Sequence, residues 1–296
     1  MLAGQQYWAN NSMYCYSMTQ WITGNEDIEY SFQRLKKYGY DGIEFAAEPY
    51  SISEQNKMLQ LLEQYELTCT SLCGIFSAER DLTSNNPETA GKAIQYLKDS
   101  VDLGAKLGAP YMIVVPSPVG RTEPAPACSY EQAWKNAIVN IRAAADYAKN
   151  KGISFVIEAI NRYESYLVNN LTKAITFVQE IDHPSVWLMA DLFHMSIEEN
   201  NISASLRKAA PYLKHVHIAD NTREAAGLGY TDFKEIFYVL KEIEYQGAIT
   251  MEFLPRVADP YAASDMTTKS KLMDYYAEQA IRYMKTLESS VNNKRL

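Results

Sequence analysis

The 296-residue chain has little of what marks a membrane, secreted or disordered protein. Its longest apolar run, from Ala109 to Val115, falls far short of the ~20 residues that a membrane-spanning helix needs. The first residues, MLAGQQYWANN, contain no basic residue and no apolar stretch of the kind found in secretory signals. Apolar residue types make up 47% of the chain and charged types 22%, which excludes disorder. We therefore expect a cytoplasmic protein without a membrane partner.

Basic residues are also few. The chain has 28 Lys and Arg against 36 Asp and Glu, a formal net charge of −8, and its basic residues form no cluster. A protein that binds nucleic acid needs clustered basic side chains, because it must neutralise phosphates. We expect no nucleic acid partner.

Four cysteines, at positions 15, 69, 73 and 128, are too few for a disulfide framework in a chain of this length. Cys69 and Cys73 fall in one predicted strand, where their even spacing places both side chains on the same face. A zinc ion would need two further ligands beside them, and the sequence offers none. The cysteines are therefore predicted to be buried free thiols.

The chain does contain eight short β-branched runs that alternate with amphipathic helical runs. The predicted strands begin at Met13, Asp41, Leu67, Pro110, Ile153, Val186, Leu213 and Ala248. Helical spacings of 3, 4 and 7 residues follow, for example, from Trp134 to Ala148. Because short links join the successive units, the strands should pair in parallel through right-handed crossovers. We predict the α/β class and one (β/α)₈ TIM barrel, a fold of ~250 residues, covering residues 1–296 as a single domain.

The alternative fold is an open, doubly wound sheet. Such sheets usually have fewer units, and no phosphate-binding G-x-G-x-x-G pattern follows the first predicted strand. In the barrel, the proline-rich loop 116–128 (PSPVGRTEPAPAC) follows the fourth strand. We expect this loop at the end of the barrel where active sites lie.

Residues that bind metals or move protons fall at the carboxyl ends of four successive predicted strands. Strand 5 ends at Glu158, strand 6 at Asp191 and strand 8 next to Glu252, while strand 7 contains His215 and His217. In a barrel these ends meet at one mouth, where three carboxylates would repel one another unless a cation lay among them. Oxygen ligands with one imidazole suit Mn²⁺, Co²⁺ or Mg²⁺ better than structural zinc.

Each of these residues also has a simpler structural interpretation. A single Glu or Asp at a strand end often caps the next helix or lies in solvent. Either His215 or His217 could be the ligand while the other packs in the core. The acids nevertheless lie at or near the ends of the otherwise apolar runs FVIE, WLMAD and ITMEF, and an unpaired buried carboxylate is costly. Their coincidence on four strands favours a metal centre.

These segments carry a family resemblance. FVIEAINRYESYLVNN, ADLFHMSIEENN, HVHIADNTREAAGLG and ITMEF resemble the signature segments of the D-tagatose/D-allulose (psicose) 3-epimerase family, one of the xylose-isomerase-like TIM-barrel sugar isomerases and epimerases. The similarity extends along nearly the whole chain, including SAERDLTSNNPE after strand 3. The E-x-x-N-R-x-E and D-x-F-H-M-x-I-E-E motifs, followed by H-x-H-x₅-R, are specific when they occur in this order.

The resemblance implies roles for individual residues. The family's metal ligands fall on Glu158, Asp191, His217 and Glu252. Its substrate-contacting Glu, His and Arg fall on Glu164, His194 and Arg223. The resemblance further implies a divalent metal, Mn²⁺ foremost with Co²⁺ or Mg²⁺ as alternatives, a small sugar as the substrate, and a homo-oligomer.

The chemistry predicted for such a site is proton transfer next to the carbonyl of a ketose or keto-sugar. A divalent ion that holds the carbonyl and a neighbouring hydroxyl acts as a Lewis acid and stabilises an enediolate. Glu158 and Glu252 would be the catalytic residues, one removing the proton and the other returning a proton to the opposite face. His194 and Arg223 would hold substrate oxygens, although His194 could instead support the metal. The prediction is an enzyme of the isomerase class, a sugar epimerase or isomerase similar to the 3-epimerases.

Two loops depart from the family's pattern. Where the family usually has a Trp- and Tyr-rich stretch after strand 4, this chain reads VVPSPVGRTEPAP. Where the family tends to have a proline and a glycine-rich turn after the last Glu, it reads EFLPRVADPYAA. Loops 116–128 and 253–265 are expected to border the substrate pocket, so the sequence leaves the sugar open.

Three other functions fit parts of the pattern. A metal-dependent lyase or dehydratase of the same barrel family would share the proton abstraction and end in elimination. One example is the catalytic subunit of a C-glycoside deglycosidase, which acts on 3-keto-glycosides and would need a second subunit in a hetero-oligomer. A nuclease of the endonuclease IV type uses a histidine-rich three-metal centre, and this chain has four histidines in all. A non-catalytic sugar-binding barrel is disfavoured because all four ligands are present.

Overall fold

Eight parallel strands close into a ring in the computed structural model, which describes residues 12–257 and 269–292. Neighbouring strands pair in chain order, and the first pairs with the last. The strands are β1 (Cys15–Thr19), β2 (Gly42–Ala46), β3 (Thr68–Cys73), β4 (Tyr111–Val114), β5 (Ser154–Ile157), β6 (Val186–Asp191), β7 (Leu213–Ile218) and β8 (Ala248–Met251). The predicted (β/α)₈ barrel is confirmed, and every strand limit lies within two residues of its predicted position.

Helices surround the ring. Within the described residues they are α1 (Ile28–Tyr38), α2 (Ile52–Tyr65), α3 (Pro87–Leu107), α4 (Tyr130–Asn150), α5 (Leu171–Ile181), α6 (Leu192–Glu198), α7 (Ile202–Ala209), α8 (Phe233–Glu242) and α9 (Lys269–Asn292). Their apolar faces pack on the outside of the strands and form the main core. No helix in these ranges is long and apolar enough to cross a bilayer.

Local sequence signals begin and end several helices. The Asn86 side chain accepts hydrogen bonds from two backbone N–H groups in the first turn of α3, where Pro87 is the first residue. Ser129 caps α4 in the same manner. Gly39 and Gly108 end α1 and α3 with φ angles of 79° and 76°, a left-handed conformation that glycine adopts without strain.

The four cysteines are free thiols, as predicted; three are buried and Cys128 is half-buried. The prediction that Cys69 and Cys73 share a face is wrong. Ile43 of β2 lies opposite Cys69, but the next residue, Glu44, lies opposite Ser71, so that β3 contains one extra residue. This bulge reverses the alternation of side chains. Cys69 therefore packs under the helices, whereas Cys73 lies inside the barrel with Ile113, Val156 and Met189.

Two ion pairs attach α1 to its surroundings. The fully buried Arg34 guanidinium donates to both carboxylate oxygens of Glu26, at 2.9 and 2.6 Å, and to Asp274 Oδ1 of α9 at 2.6 Å. Removing one partner of a buried pair typically destabilises a protein by about 3–5 kcal/mol, because it leaves an uncompensated charge. We expect a loss of this size in the free energy of unfolding of Arg34→Met, measured by urea denaturation.

The matched control for this prediction is Arg282→Met. The Arg282 side chain is 77% exposed and pairs with Glu278 on the same helix. A pair of this kind contributes about 0.5 kcal/mol or less. Equal losses in the two variants would contradict a stabilising role for the buried pair.

Candidate active site

The four residues predicted as metal ligands converge at the carboxyl ends of the strands. Glu158 directly follows β5, Asp191 ends β6, His217 lies in β7 and Glu252 directly follows β8. All four are buried, and one possible ligand atom from each lies within 4.8 Å of those of the others. Parallel pairing produces this convergence, since it places Asp191 beside His217 and aligns β7 with β8.

Hydrogen bonds hold the carboxylates in place. Asp191 Oδ1 accepts from the backbone N–H of His194 at 3.0 Å, which caps α6 and leaves Oδ2 for the cluster. Trp21 Nε1 donates to Glu252 Oε1 at 2.8 Å, and Arg223 Nη2 donates to Glu252 Oε2 at 3.0 Å. The side chains are thus oriented before anything binds, as a rigid ligand set requires.

His217 presents a buried nitrogen to these carboxylates. Its Nε2 lies 3.0 Å from Glu44 Oε2, on the side away from the cluster. Its Nδ1 makes no hydrogen bond and lies 3.3 Å from Glu252 Oε2 and 3.9 Å from Asp191 Oδ2. A buried polar atom without a partner is costly, and a metal ion among these ligands would satisfy it.

The cluster also carries surplus negative charge. Burial, together with the Glu252 carboxylate, raises the pKa of Glu158 well above its usual value. Burial alone would also raise the pKa of Glu252, but the charges of His217 and Arg223 lower it to about 2. A divalent cation would compensate the carboxylates. Three oxygen donors and one imidazole nitrogen therefore fit such an ion both in charge and in donor chemistry.

Of the two histidines that the strand pattern left open, only His217, to which the family resemblance points, belongs to this cluster. His215 is fully buried deeper in the barrel, where its Nε2 lies 3.0 Å from Glu44 Oε2 and 3.3 Å from Ser71 Oγ. Sequence reasoning missed Glu44. The available signal was a single carboxylate in the otherwise apolar run GIEFA of β2, where every residue is buried.

The three residues predicted to contact substrate line one cavity beside the cluster. This cavity has a volume of about 220 Å³, and Glu158 and Glu252 also face it. His194 Nε2 lies 4.0 Å from Glu158 Oε1 and 3.4 Å from Arg223 Nη1. The Arg223 guanidinium lies 4.3 Å above the ring of Phe193 and also reaches Glu252. The cavity therefore combines a guanidinium, an imidazole and three carboxyl groups, those of Glu158, Glu164 and Glu252.

Asn161 holds the His194 ring and the Glu164 carboxylate in place. Its amide nitrogen donates to His194 Nδ1 at 2.8 Å and to Glu164 Oε1 at 2.9 Å, while its amide oxygen accepts from Tyr163 N. Burial lowers the pKa of His194 to about 3 despite the nearby Asp191 carboxylate, so the ring is neutral. Nδ1 thus faces the Asn161 amide, while Nε2 lies between the Arg223 guanidinium and the Glu158 carboxyl group.

The remaining wall of the cavity is mostly apolar. It consists of Trp21, Cys73, Gly74, Ile75, Phe76, Val115, Val119 and Ile160. Val119 comes from loop 116–128, which is anchored where Gly120 N donates to Glu164 O at 2.7 Å and Arg121 pairs with Asp81. This loop therefore borders the cavity, as predicted. Only residues 253–257 of the second divergent loop lie within the described residues.

A buried aspartate organises the loop that carries Arg223. The Asp220 carboxylate accepts hydrogen bonds from the backbone N–H groups of residues 221, 227, 229 and 231, at 2.8–3.1 Å. Arg223 has a φ of 65°, an uncommon conformation for a residue other than glycine. Its backbone N–H and C=O bond to Asp220 O and Leu254 N. Sequence reasoning did not identify Asp220, because its partners are backbone groups brought together only by folding.

The chain belongs to the family of xylose isomerase-like TIM barrels. The model of that family matches residues 32–285.

Among its relatives is the L-ribulose 3-epimerase of Methylomonas sp. strain DH-1, which is 33% identical over 83% of this chain and 87% of its own length. The 3-dehydro-D-guloside 4-epimerase of Escherichia coli K12 is 29% identical over 80% of this chain and 91% of its own. The crystal structure of D-psicose 3-epimerase with D-tagatose from Clostridium cellulolyticum H10 is similar with a TM-score of 0.82 at 26% identity, covering 92% of this chain and 99% of that one. These matches confirm the predicted resemblance to the 3-epimerases and the prediction of an enzyme of the isomerase class.

Proposed function

We propose that this enzyme is a metal-dependent sugar epimerase that inverts a hydroxyl-bearing carbon next to a ketone. The observation that carries the proposal is that Glu158 and Glu252 belong both to the candidate metal cluster and to the wall of one cavity. Two carboxylates beside one bound sugar are the groups that removal and return of a proton require. The similarity to 3-epimerases and to a 4-epimerase supports a ketose or keto-sugar as the substrate.

The metal ligands in this proposal are Glu158, Asp191, His217 and Glu252. Their three carboxylates and one imidazole favour Mn²⁺, with Co²⁺ or Mg²⁺ as alternatives. When bound, such an ion supplies Lewis-acid stabilisation of the negative charge that develops on the substrate oxygens.

The two catalytic carboxylates approach the cavity from different strands. Glu158 follows β5 and Glu252 follows β8, and two strands of the ring separate them. One carboxylate removes the proton from the carbon next to the ketone, which leaves an enediolate, and the other carboxyl group returns a proton to the opposite face. Trp21 and Arg223 hold both oxygens of Glu252, which orients this carboxylate toward the substrate.

The other polar groups of the cavity would hold the sugar. The Arg223 guanidinium and the His194 imidazole can bind carbonyl or hydroxyl oxygens, and the guanidinium can stabilise developing negative charge. The Glu164 carboxylate can accept a hydrogen bond from a sugar hydroxyl. Because the wall formed by Ile75, Phe76 and Val119 is apolar, substrate recognition depends mainly on Glu164, His194 and Arg223.

The test is a panel of free ketoses and 3-keto-glycosides incubated with the enzyme and Mn²⁺ in deuterated water. We expect at least one substrate to give a pair of epimers, with deuterium at the inverted carbon. The double variant Glu158→Gln, Glu252→Gln is the negative control. Release of a leaving group without an epimer pair would replace the proposal by the lyase alternative, and inversion without deuterium incorporation would contradict proton transfer.

A further inference from the structure

One carboxylate inside the barrel lies between two histidines. Glu44 of β2 is fully buried, and its Oε2 lies 3.0 Å from Nε2 of His215 and 3.0 Å from Nε2 of His217. Ser71 Oγ donates to the same oxygen at 2.6 Å. Glu44 is not one of the four metal ligands proposed above, and it does not line the cavity. The proposed reaction therefore leaves its role open.

The trio of Glu44, His215 and His217 could itself be considered a cation site, because its possible ligand atoms lie within 4.8 Å of one another. The distances argue against this interpretation. Both imidazole nitrogens point at one carboxylate oxygen from hydrogen-bond distance, whereas the ligands of an ion point at the ion. The trio is a hydrogen-bonded group.

The hydrogen bonds determine where the imidazole protons are. An ionised carboxylate only accepts, so the Nε2 atoms of both histidines must donate to Glu44. Three donors, Ser71 Oγ and the two Nε2 atoms, converge on this one oxygen, as is expected for an ionised carboxylate. When an ion takes the place of a proton on Nδ1 of His217, the ring keeps its one N–H group on Nε2 and Nδ1 offers its lone pair. That nitrogen faces Glu252 and Asp191.

We propose that Glu44 is a positioning residue of the metal centre: by accepting the Nε2–H of His217, it makes Nδ1 the ligand atom and holds the ring in the orientation that the ion needs. A carboxylate that accepts the far N–H of a ligating imidazole fixes the ring and makes the ligating nitrogen more basic. The inference rests on the metal centre of the proposed function. His215 and Ser71 hold the same oxygen of Glu44 and are not ligands of the ion in this proposal.

The test is Mn²⁺ binding to metal-free Glu44→Gln, followed through the electron paramagnetic resonance signal of free Mn²⁺. Gln has the same shape as Glu but lacks its charge, so a role in packing alone would leave the Kd unchanged. We expect the Kd for Mn²⁺ to rise roughly 10–100-fold. In the Mg²⁺-loaded protein, we also expect the Nε2-bound proton resonances of both His215 and His217 to move, because both donate to Glu44.

The matched control is His215→Gln. The amide of the new glutamine can still donate to Glu44, and His217 is unchanged. We therefore expect a Kd for Mn²⁺ within about threefold of the wild-type value, well below the loss expected for removal of a supporting group. This variant also assigns the His215 proton resonance. A wild-type Kd in Glu44→Gln would overturn the proposal. Equal losses in the two variants would also overturn it, because they would make the trio the cation site.

A second variant keeps the proposal testable if Glu44→Gln does not fold. Glu44→Asp keeps the charge but withdraws the carboxylate by one methylene, which breaks the 3.0 Å contacts, and we expect the Kd to rise again. The binding experiment uses no sugar. If the Glu44 variants bind Mn²⁺ more weakly but the wild-type enzyme epimerises no sugar, the role of Glu44 is supported and the proposed function is contradicted. Absence of Mn²⁺ binding to the wild-type protein would contradict both.

Discussion

Glu158→Gln and Glu252→Gln are each expected to lower kcat for epimerisation by roughly 10²–10⁴-fold. Glutamine keeps an oxygen at the position of the carboxylate but cannot accept the proton, so the general base or acid of one half-reaction is lost. The measurement is kcat in both directions with the best substrate of the panel. Metal content is determined for each variant, because both residues are also proposed ligands.

The same variants should fail asymmetrically in deuterated water. Each retains one carboxylate, which faces only one of the two epimers. We expect each variant to exchange the carbon-bound hydrogen of one epimer without releasing the other. Exchange of both epimers by both variants would contradict the assignment of one base to each face. Glu48→Gln is the control, since Glu48 pairs with Arg80 outside the cavity and its loss should leave kcat unchanged.

Removing the metal is expected to lower activity at least roughly 100-fold, since Lewis-acid stabilisation contributes several kcal/mol and about 1.4 kcal/mol corresponds to tenfold. The barrel should stay folded, because backbone pairing and the apolar core hold the strands independently of the ion. Circular dichroism of the chelated protein checks the fold, and added Mn²⁺ should restore turnover.

Mn²⁺ should also raise the Tm of the chelated protein. The ion binds the folded state and relieves the repulsion among three buried carboxylates, so it stabilises that state by mass action. Co²⁺ and Mg²⁺ serve as comparisons for the choice of ion. Full activity in protein shown by metal analysis to contain no divalent ion would refute the metal requirement.

Much of the barrel could be predicted from the sequence, because local patterns determine its strands and helices. Strand limits such as Val186–Asp191 follow from short apolar runs, and helix starts such as Asn86–Pro87 follow from capping chemistry. Eight successive units with short links then leave few topologies, since parallel crossovers have one hand. The bulge in β3 could not be predicted, because it depends on the pairing of β3 with β2.

The residues proposed as metal ligands were also visible in the sequence. Glu158, Asp191 and Glu252 each end or follow an apolar strand, and in a parallel barrel all such ends meet at one mouth. The position of a ligand along its own strand is a local property. Hence their convergence follows once the fold is known.

Only the tertiary structure shows why one histidine faces the carboxylates and what supports it. The strand pattern left His215 and His217 equivalent and only the family resemblance assigned His217, whereas the register of β7 places His217 beside Asp191 and His215 one layer deeper. Trp21, Glu44 and Asp220 support the site from distant segments through hydrogen bonds that no local pattern encodes. Sequence periodicity specifies which side of a strand a residue occupies. The partner across the barrel depends on closure of the ring, which brings Glu44 Oε2 of β2 to 3.0 Å from His217 Nε2 of β7.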